Sequence, residues 1–266
     1  MSNELLFSPL KFGRIELKNR VVMSPMTRSR SIGSIPGDIV AKYYGQRAEA
    51  GLIIAEGTSP SPNGLGYPRI PGLFNAEQVA GWKKTTSAVH AAGGHIFVQL
   101  MHTGRVTHPL NLPAGGKVLA PSALPGPDKM WVDSKMAQEP TPVPAVMTAQ
   151  DIETAIEEYA KSAELAIEAG FDGVELHGAN GYLIEQFLNT ASNQRTDEWG
   201  GSIDNRIRFA VEVAKRVAKR IGSDRLGIRL SPFGVFGGMA SEVTTEDTFE
   251  KLVKALSDLK LLYVHT

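Results

Sequence analysis

Residues 148–182 read TAQDIETAIEEYAKSAELAIEAGFDGVELHGANGY. Ile152, Ile156, Tyr159, Ala163 and Ile167 recur at steps of three and four, which places them on one apolar helical face over Thr148 to Ala169. Thr148, followed three residues later by Asp151, reads as a capping-box-like start, and Gly170 as a stop. Three residues further on, Gly173 to His177 (GVELH) is an aliphatic run too short for a helix and bounded by glycines, which predicts a buried strand. An amphipathic helix feeding a buried strand is one unit of an α/β fold.

The same rhythm extends in both directions. Strands are predicted at Arg20 to Met26, Leu52 to Glu56, His95 to Met101, Leu226 to Leu230 and Leu261 to His265. Further helices are predicted at Arg206 to Ile221 and at Thr245 to Leu256, each with its own apolar stripe. Six strands alternating with helices suit a parallel (β/α) barrel, which routinely forms one domain near this length of 266 residues. Lys215, Arg216, Lys219 and Arg220 flank the apolar stripe of one helix, so they read as its solvated face and not as a nucleic-acid patch. Residues 103–147 break the rhythm and hold eight of the sixteen prolines. A long insertion after the third strand would sit at the strand C-terminal ends, where such barrels keep their active sites; the alternative is an inert surface excursion.

Composition removes several function classes. The 28 Lys and Arg balance the 28 Asp and Glu, so no net field draws the chain to nucleic acid or anionic lipid. With no cysteine there are no disulfides, thiolate nucleophiles, Cys-ligated zinc or iron–sulfur clusters. Hydrophobic residues make up 42% and charged residues 21%, enough for a large core. No apolar run approaches the ~18 residues of a membrane span, and the start does not read as a signal peptide, so a cytoplasmic protein is expected.

Polar groups collect at the predicted strand ends: Pro25, Met26 and Thr27 after the first, Glu56 and Gly57 after the second, Gln99 and His102 at the third. Glu175, His177, Asn180 and Tyr182 follow at the fourth and Arg229 at the fifth. In a parallel barrel these ends meet at one rim. His177 and Asn180 can both donate to one oxygen, and Tyr182 keeps a transferable proton at neutral pH, which suits an oxyanion site with an adjacent acid. Arg229 inside the apolar run LGIRL needs an accepting partner, either an internal carboxylate such as Glu175 or Glu56 or an anionic ligand. A metal site is the main rival, since Glu175 and His177 share a strand face that His102 could join. No GxGxxG, Walker A, GxSxG or HExxH spacing occurs.

The segments VVMSPMTRSR (21–30), IIAEGT (53–58), VQLMHTGR (98–105), GVELHGANGYLIEQFLN (173–189) and SNQRTDEWGGSIDNRIRF (192–209) resemble, in order, the old yellow enzyme family. The resemblance implies a (β/α)8 TIM barrel, with six of the eight βα units in this chain. It implies an FMN-dependent ene-reductase that takes electrons from NAD(P)H and reduces activated C=C bonds of unsaturated carbonyl or nitro compounds. By the same resemblance, Pro25, Met26, Thr27 and Gly57 line the isoalloxazine, and Gln99 and Arg229 bind its pyrimidine edge. His177 and Asn180 hold the substrate oxygen, Tyr182 protonates carbon, and Tyr67 lines the substrate pocket. Met101 stands where many relatives carry Trp, implying a wider pocket. The family continues through two more units that hold the FMN phosphate, so weak FMN binding and self-association through open barrel edges are expected of this chain. The alternatives are a non-catalytic barrel fragment and a metal-dependent barrel hydrolase.

Overall fold

The computed structural model describes residues 4–127 and 129–266; the first three residues of the leader reading and Asp128 of the 103–147 stretch lie outside it. Six strands, Val22–Met23, Leu52–Thr58, Ile96–Leu100, Gly173–Gly178, Leu226–Leu230 and Tyr263–His265, form one parallel sheet in chain order. Helices α1 (Asp38–Gly45), α2 (Ala76–Ala91), α3 (Ala149–Glu168), α4 (Leu183–Leu188), α5 (Ile203–Ile221) and α6 (Thr245–Ser257) fill the crossovers. Strands neighbouring one another in sequence order, joined by helices, make the pattern of the (β/α)8 barrel and not of a doubly wound sheet, whose order reverses.

All six predicted strands are present; Leu226–Leu230 keeps both expected ends, the other five shift at one or both ends, and the first two shifts have a local cause. The first is only two residues long, because Pro25 has no N–H to offer the ladder. The second runs on through Glu56 and Gly57 to Thr58, with a register break against the third strand between Ala55 and Thr58. Helix α3 starts on a complete capping box: the Thr148 hydroxyl accepts from the Asp151 N–H at 3.1 Å, and the Asp151 carboxylate accepts from the Thr148 N–H at 2.9 Å. Helix α2 lacks a clear apolar period because Thr85 and Thr86 sit on its buried face; Thr86 satisfies its hydroxyl by donating to the Ala169 carbonyl at 2.7 Å. The basic face of α5 is ion-paired to α3, with Arg216 on Glu153 and Glu157 and Arg220 on Glu157 and Glu164.

The pleat sorts each strand. Val98, Val174, Leu176, Leu226 and Ile228 face the helices in the main core, leaving Gln99, Glu175, His177, Gly227 and Arg229 on the opposite, interior face. An N-terminal hairpin, Leu10–Phe12 with Ile15–Leu17, packs on Leu52, Ile54 and Phe97 and so closes the N-terminal end of the sheet. The open end is therefore the C-terminal one. The 103–147 stretch contains two short strand pairs, Leu119–Ala120 with Ala145–Val146 and Lys129–Val132 with Ala137–Pro140. Its Val106 and Met130 share an apolar cluster with Leu65, Ile70, Met101 and Tyr182, so it forms part of the wall around the strand ends.

Candidate active site

At the C-terminal ends of the strands lies a cleft of about 330 Å³ lined by Pro25, Thr27, Gln99, Met101, His177, Asn180, Tyr182, Arg229 and Phe236. Seven of the ten residues to which the resemblance assigns a binding or catalytic role thus meet at one place. Of the others, Met26 turns outward and is 48% exposed. Gly57 lies behind Met101, so close that a Cβ there would stand 2.7 Å from the Met101 sulfur. Tyr67 reaches the site through its hydroxyl, 3.0 Å from that of Tyr182.

Strand register stacks the interior groups in two rows. Gln99, Glu175, Gly227 and Tyr263 are cross-strand partners in the lower row, and His177, Arg229 and His265 in the upper one, nearer the cleft mouth. In the lower row Glu175 is fully buried; one carboxylate oxygen accepts from Gln99 Nε2 at 2.8 Å, and the other faces the Tyr263 hydroxyl at 3.1 Å and His265 Nδ1 at 2.9 Å. Glu56, also fully buried, accepts from the Arg28 N–H at 2.9 Å and from the Tyr44 hydroxyl at 3.3 Å, and burial raises it to about 7. Neither carboxylate considered from the sequence is therefore the partner of Arg229. Among the described residues Arg229 makes no hydrogen bond or ion pair, and its guanidinium lines the cleft half-buried with its donors unused.

His177 is 3% exposed, and its Nδ1 has no hydrogen-bond partner among the described residues. Burial, followed by the charges of Arg229 and His265, pushes it down to about 3, so the ring is neutral at physiological pH and carries a single N–H. Asn180 adopts the left-handed conformation at φ 57°, which Asn tolerates better than most residues. The following Gly181, at φ 75°, is packed so tightly against the 236–238 loop that a Cβ would lie 2.7 Å from the Phe236 carbonyl oxygen. This turn is pinned by Glu185 of α4: Gly181 N–H and the Ser231 hydroxyl donate to its two oxygens at 2.6 and 2.8 Å, while Asn180 N–H donates to Ser231 Oγ at 2.9 Å. Tyr182 packs edge-on to His177, with ring centroids 4.8 Å apart, and burial together with Tyr67 holds its hydroxyl well above the usual tyrosine range.

Three contributors were not singled out from the sequence. Glu185 was hidden in an apolar helix-like run, where its polarity inside LIEQFL was the available signal. Phe236 comes from the glycine-flanked GVFGG loop. Arg105, 3% exposed, donates to the carbonyls of Gly237 and Gly238 at 3.2 Å each and so fixes that loop; it closes the motif VQLMHTGR, and a buried-loop arginine was its signal. Two of the three groups weighed as metal ligands are otherwise engaged: His102 Nδ1 accepts from Gly104 N–H at 3.1 Å, and Glu175 holds its own network. Among the described residues no three His, Asp or Glu groups are grouped to hold a metal ion, and no helix is long and apolar enough to cross a membrane.

Known proteins share this arrangement of chain. The chain is 46% identical over 231 residues to 12-oxophytodienoate reductase 7 of Oryza sativa subsp. japonica, an alignment covering 85% of this chain and 58% of that protein. It thus spans less than two thirds of that relative's length. The solved structure of morphinone reductase superposes with a TM-score of 0.94 at 44% identity, covering 99% of this chain and 71% of that one. The old yellow enzyme homologue NCR from Zymomonas mobilis gives a TM-score of 0.93 at 42% identity, covering 97% and 72%. The family model described as NADH:flavin oxidoreductase / NADH oxidase matches residues 5–265, and the chain belongs to that family and to its old yellow enzyme branch.

Proposed function

We propose that the protein is an FMN-dependent oxidoreductase that uses NAD(P)H to reduce activated C=C bonds in unsaturated carbonyl or nitro compounds. The carrying observation is Arg229, a cation lining the cleft with no counter-ion among the described residues. A guanidinium left half-buried and unpaired is costly unless an anion or a strongly polarised carbonyl completes it. The residues beside it suit a flat heteroaromatic ring. Gln99 offers its amide, Thr27 a hydroxyl and Pro25 an apolar edge, and the three meet Arg229 in one cleft. Bound FMN would supply the hydride, with charge developing at its pyrimidine edge beside Arg229.

The chain's own groups supply the rest of the chemistry. His177 and Asn180 donate to the substrate's carbonyl or nitro oxygen, polarising the alkene and stabilising the negative charge that grows on that oxygen. A neutral His177 suits this role, because it donates a hydrogen bond without delivering its proton. Tyr182 holds its proton until the carbon beside it becomes basic, then transfers it as general acid. Met101, thinner and more adaptable than an indole, leaves the cleft wide. The reduced nicotinamide donor suits a cytoplasmic setting.

The test is direct. Protein mixed with FMN and NADPH should bleach the flavin absorbance without oxygen, and adding 2-cyclohexenone should restore it. Bleaching without recovery on any enone or nitroalkene would defeat the substrate assignment, and no flavin binding would defeat the cofactor assignment.

A further inference from the structure

We infer that Glu175 is a positioning residue that fixes which end of the Gln99 amide faces the cleft, and so makes the cleft floor selective for a ring edge presenting N–H beside a carbonyl. The inference rests on the flavin reading for the identity of the ring, but its geometry is independent of it. Glu175 is fully buried and carries three contacts on two oxygens: Gln99 Nε2 at 2.8 Å, the Tyr263 hydroxyl at 3.1 Å and His265 Nδ1 at 2.9 Å. A carboxylate has acceptors only, so all three neighbours must donate. That requirement settles two assignments that are otherwise interchangeable, the amide orientation of Gln99 and the ring tautomer of His265.

With Nε2 turned to Glu175 and one of its two hydrogens used there, the Gln99 carbonyl oxygen is the end of the amide turned away from the carboxylate, and it is free to accept in the cleft that Gln99 lines. Beside it, Arg229 offers donors alone. The floor is therefore an acceptor next to a donor, complementary to an imide edge, where an N–H sits between carbonyls. Tyr263 and His265 cannot enforce this polarity themselves, because a hydroxyl can either donate or accept and the two nitrogens of an imidazole can exchange those roles. Replacing the carboxylate by an amide frees the whole row: Gln99 can then present its NH2 to the cleft, while Tyr263 and His265 adapt. The last strand thereby acts on the ring site through a residue two strands away.

The experiment compares the unmodified chain with Glu175→Gln, which keeps shape and removes the negative charge together with the acceptor-only character. Lumiflavin, the ring without ribityl phosphate, is titrated by fluorescence, and the pH at which the bound ring loses its N3 proton is read from absorbance. We expect Glu175→Gln to weaken lumiflavin about tenfold, one hydrogen bond's worth. We also expect the bound N3–H to ionise at a lower pH in the variant, since an NH2 turned toward N3 favours its anion. Loss of the Glu175 charge acts in the same direction, so the orientation of the amide itself is decided by the Gln99 signals below. Equal affinity and equal N3 ionisation in the two proteins would overturn the inference. A second measurement needs neither ring nor variant: in 15N-labelled unmodified chain the Gln99 side-chain NH2 should exchange slowly with solvent and show proximity to the Tyr263 hydroxyl. Free exchange of that NH2 would overturn the inference even if the variant failed to fold. If lumiflavin does not bind the unmodified chain, the flavin reading fails while the Gln99 signals still decide the amide's orientation.

Discussion

The Tyr182 hydroxyl lies 3.0 Å from the Tyr67 hydroxyl, with the two rings nearly perpendicular at 84°. Tyr182 is 7% exposed and half-buried Tyr67 lies further out, so the pair links the cleft to a wetter region. A phenol held in its protonated form can donate to carbon, and a second phenol at hydrogen-bond distance can steady the phenolate left behind and return a proton to it.

Tyr182→Phe should therefore slow the alkene half-reaction by roughly 10²–10⁴, the usual contribution of a general acid, while leaving flavin reduction by NAD(P)H nearly unchanged. Tyr67→Phe should slow the same half-reaction by about tenfold, the worth of one hydrogen bond to the proton donor. Stopped-flow absorbance separates the two half-reactions. Equal losses in both, for either variant, would remove these tyrosines from proton transfer.

In the proposed reaction His177 and Asn180 hold one developing oxyanion. Simple phenols mimic that oxygen, so their affinity for the flavin-loaded protein reports the donors alone. Two charge-assisted hydrogen bonds at roughly 1.5–3 kcal/mol each are lost in the double variant His177→Ala, Asn180→Ala, so phenol affinity should fall by at least about 10². Absorbance titration gives the value directly, and an unchanged Kd would place the oxygen elsewhere.

What the sequence disclosed and what it withheld follow a physical divide. Short apolar runs bounded by turn residues expose strands buried on both faces, and period three-to-four exposes helices with one apolar stripe, so the strands at Leu226–Leu230 and Gly173–Gly178 and helix α3 could be read almost to the residue. Helix α2 could not, since threonines on its inner face satisfy their hydroxyls on carbonyls that no local pattern reveals. The site shows the same split. His177, Asn180, Tyr182 and Arg229 stand out as polar groups in or just after apolar runs. That Glu175 faces Gln99 and His265, and not Arg229, depends on register across the fourth, fifth and sixth strands, and register is a property of pairings between distant segments.

Glu185 gives a prediction about pH. Burial raises it to about 7 from its ordinary 4.5, so between those values the folded protein keeps a proton that the unfolded chain has released. Its contribution to stability is thus fully present below about pH 4.5 and is lost as the pH rises through about 7. The shift corresponds to roughly 3 kcal/mol. Glu185→Gln does not titrate and can still accept from Gly181 N–H, so its stability relative to the unmodified chain should improve by up to that amount between pH 4 and pH 9, as seen by urea unfolding. A difference independent of pH would show that folding leaves the Glu185 pKa at its ordinary value.

Two interior glycines should respond differently to the same added methyl group. At Gly227 a Cβ would stand 2.2 Å from Cε1 and Cζ of the Tyr263 ring, which lies across the fifth strand to reach Glu175. The ring is held by that hydrogen bond and by packing against Phe12 and Phe97, so it cannot retreat without leaving Glu175. Gly227→Ala should therefore cost ~1–3 kcal/mol of overpacking strain, more than the ~0.5–1 kcal/mol that Ala gains over Gly in a strand. At Gly57 the close atoms are the sulfur and methyl of Met101, the free end of a flexible side chain that can swing away. Gly57→Ala should leave stability within about 1 kcal/mol of the unmodified chain, yet push the Met101 thioether into the cleft and alter phenol affinity. Thermal melts and phenol titrations on both variants read the contrast. Equal destabilisation at the two sites would mean that the Tyr263 ring is as free to move as the Met101 side chain, and that the lower row of the barrel interior is not the rigid layer its hydrogen bonds describe.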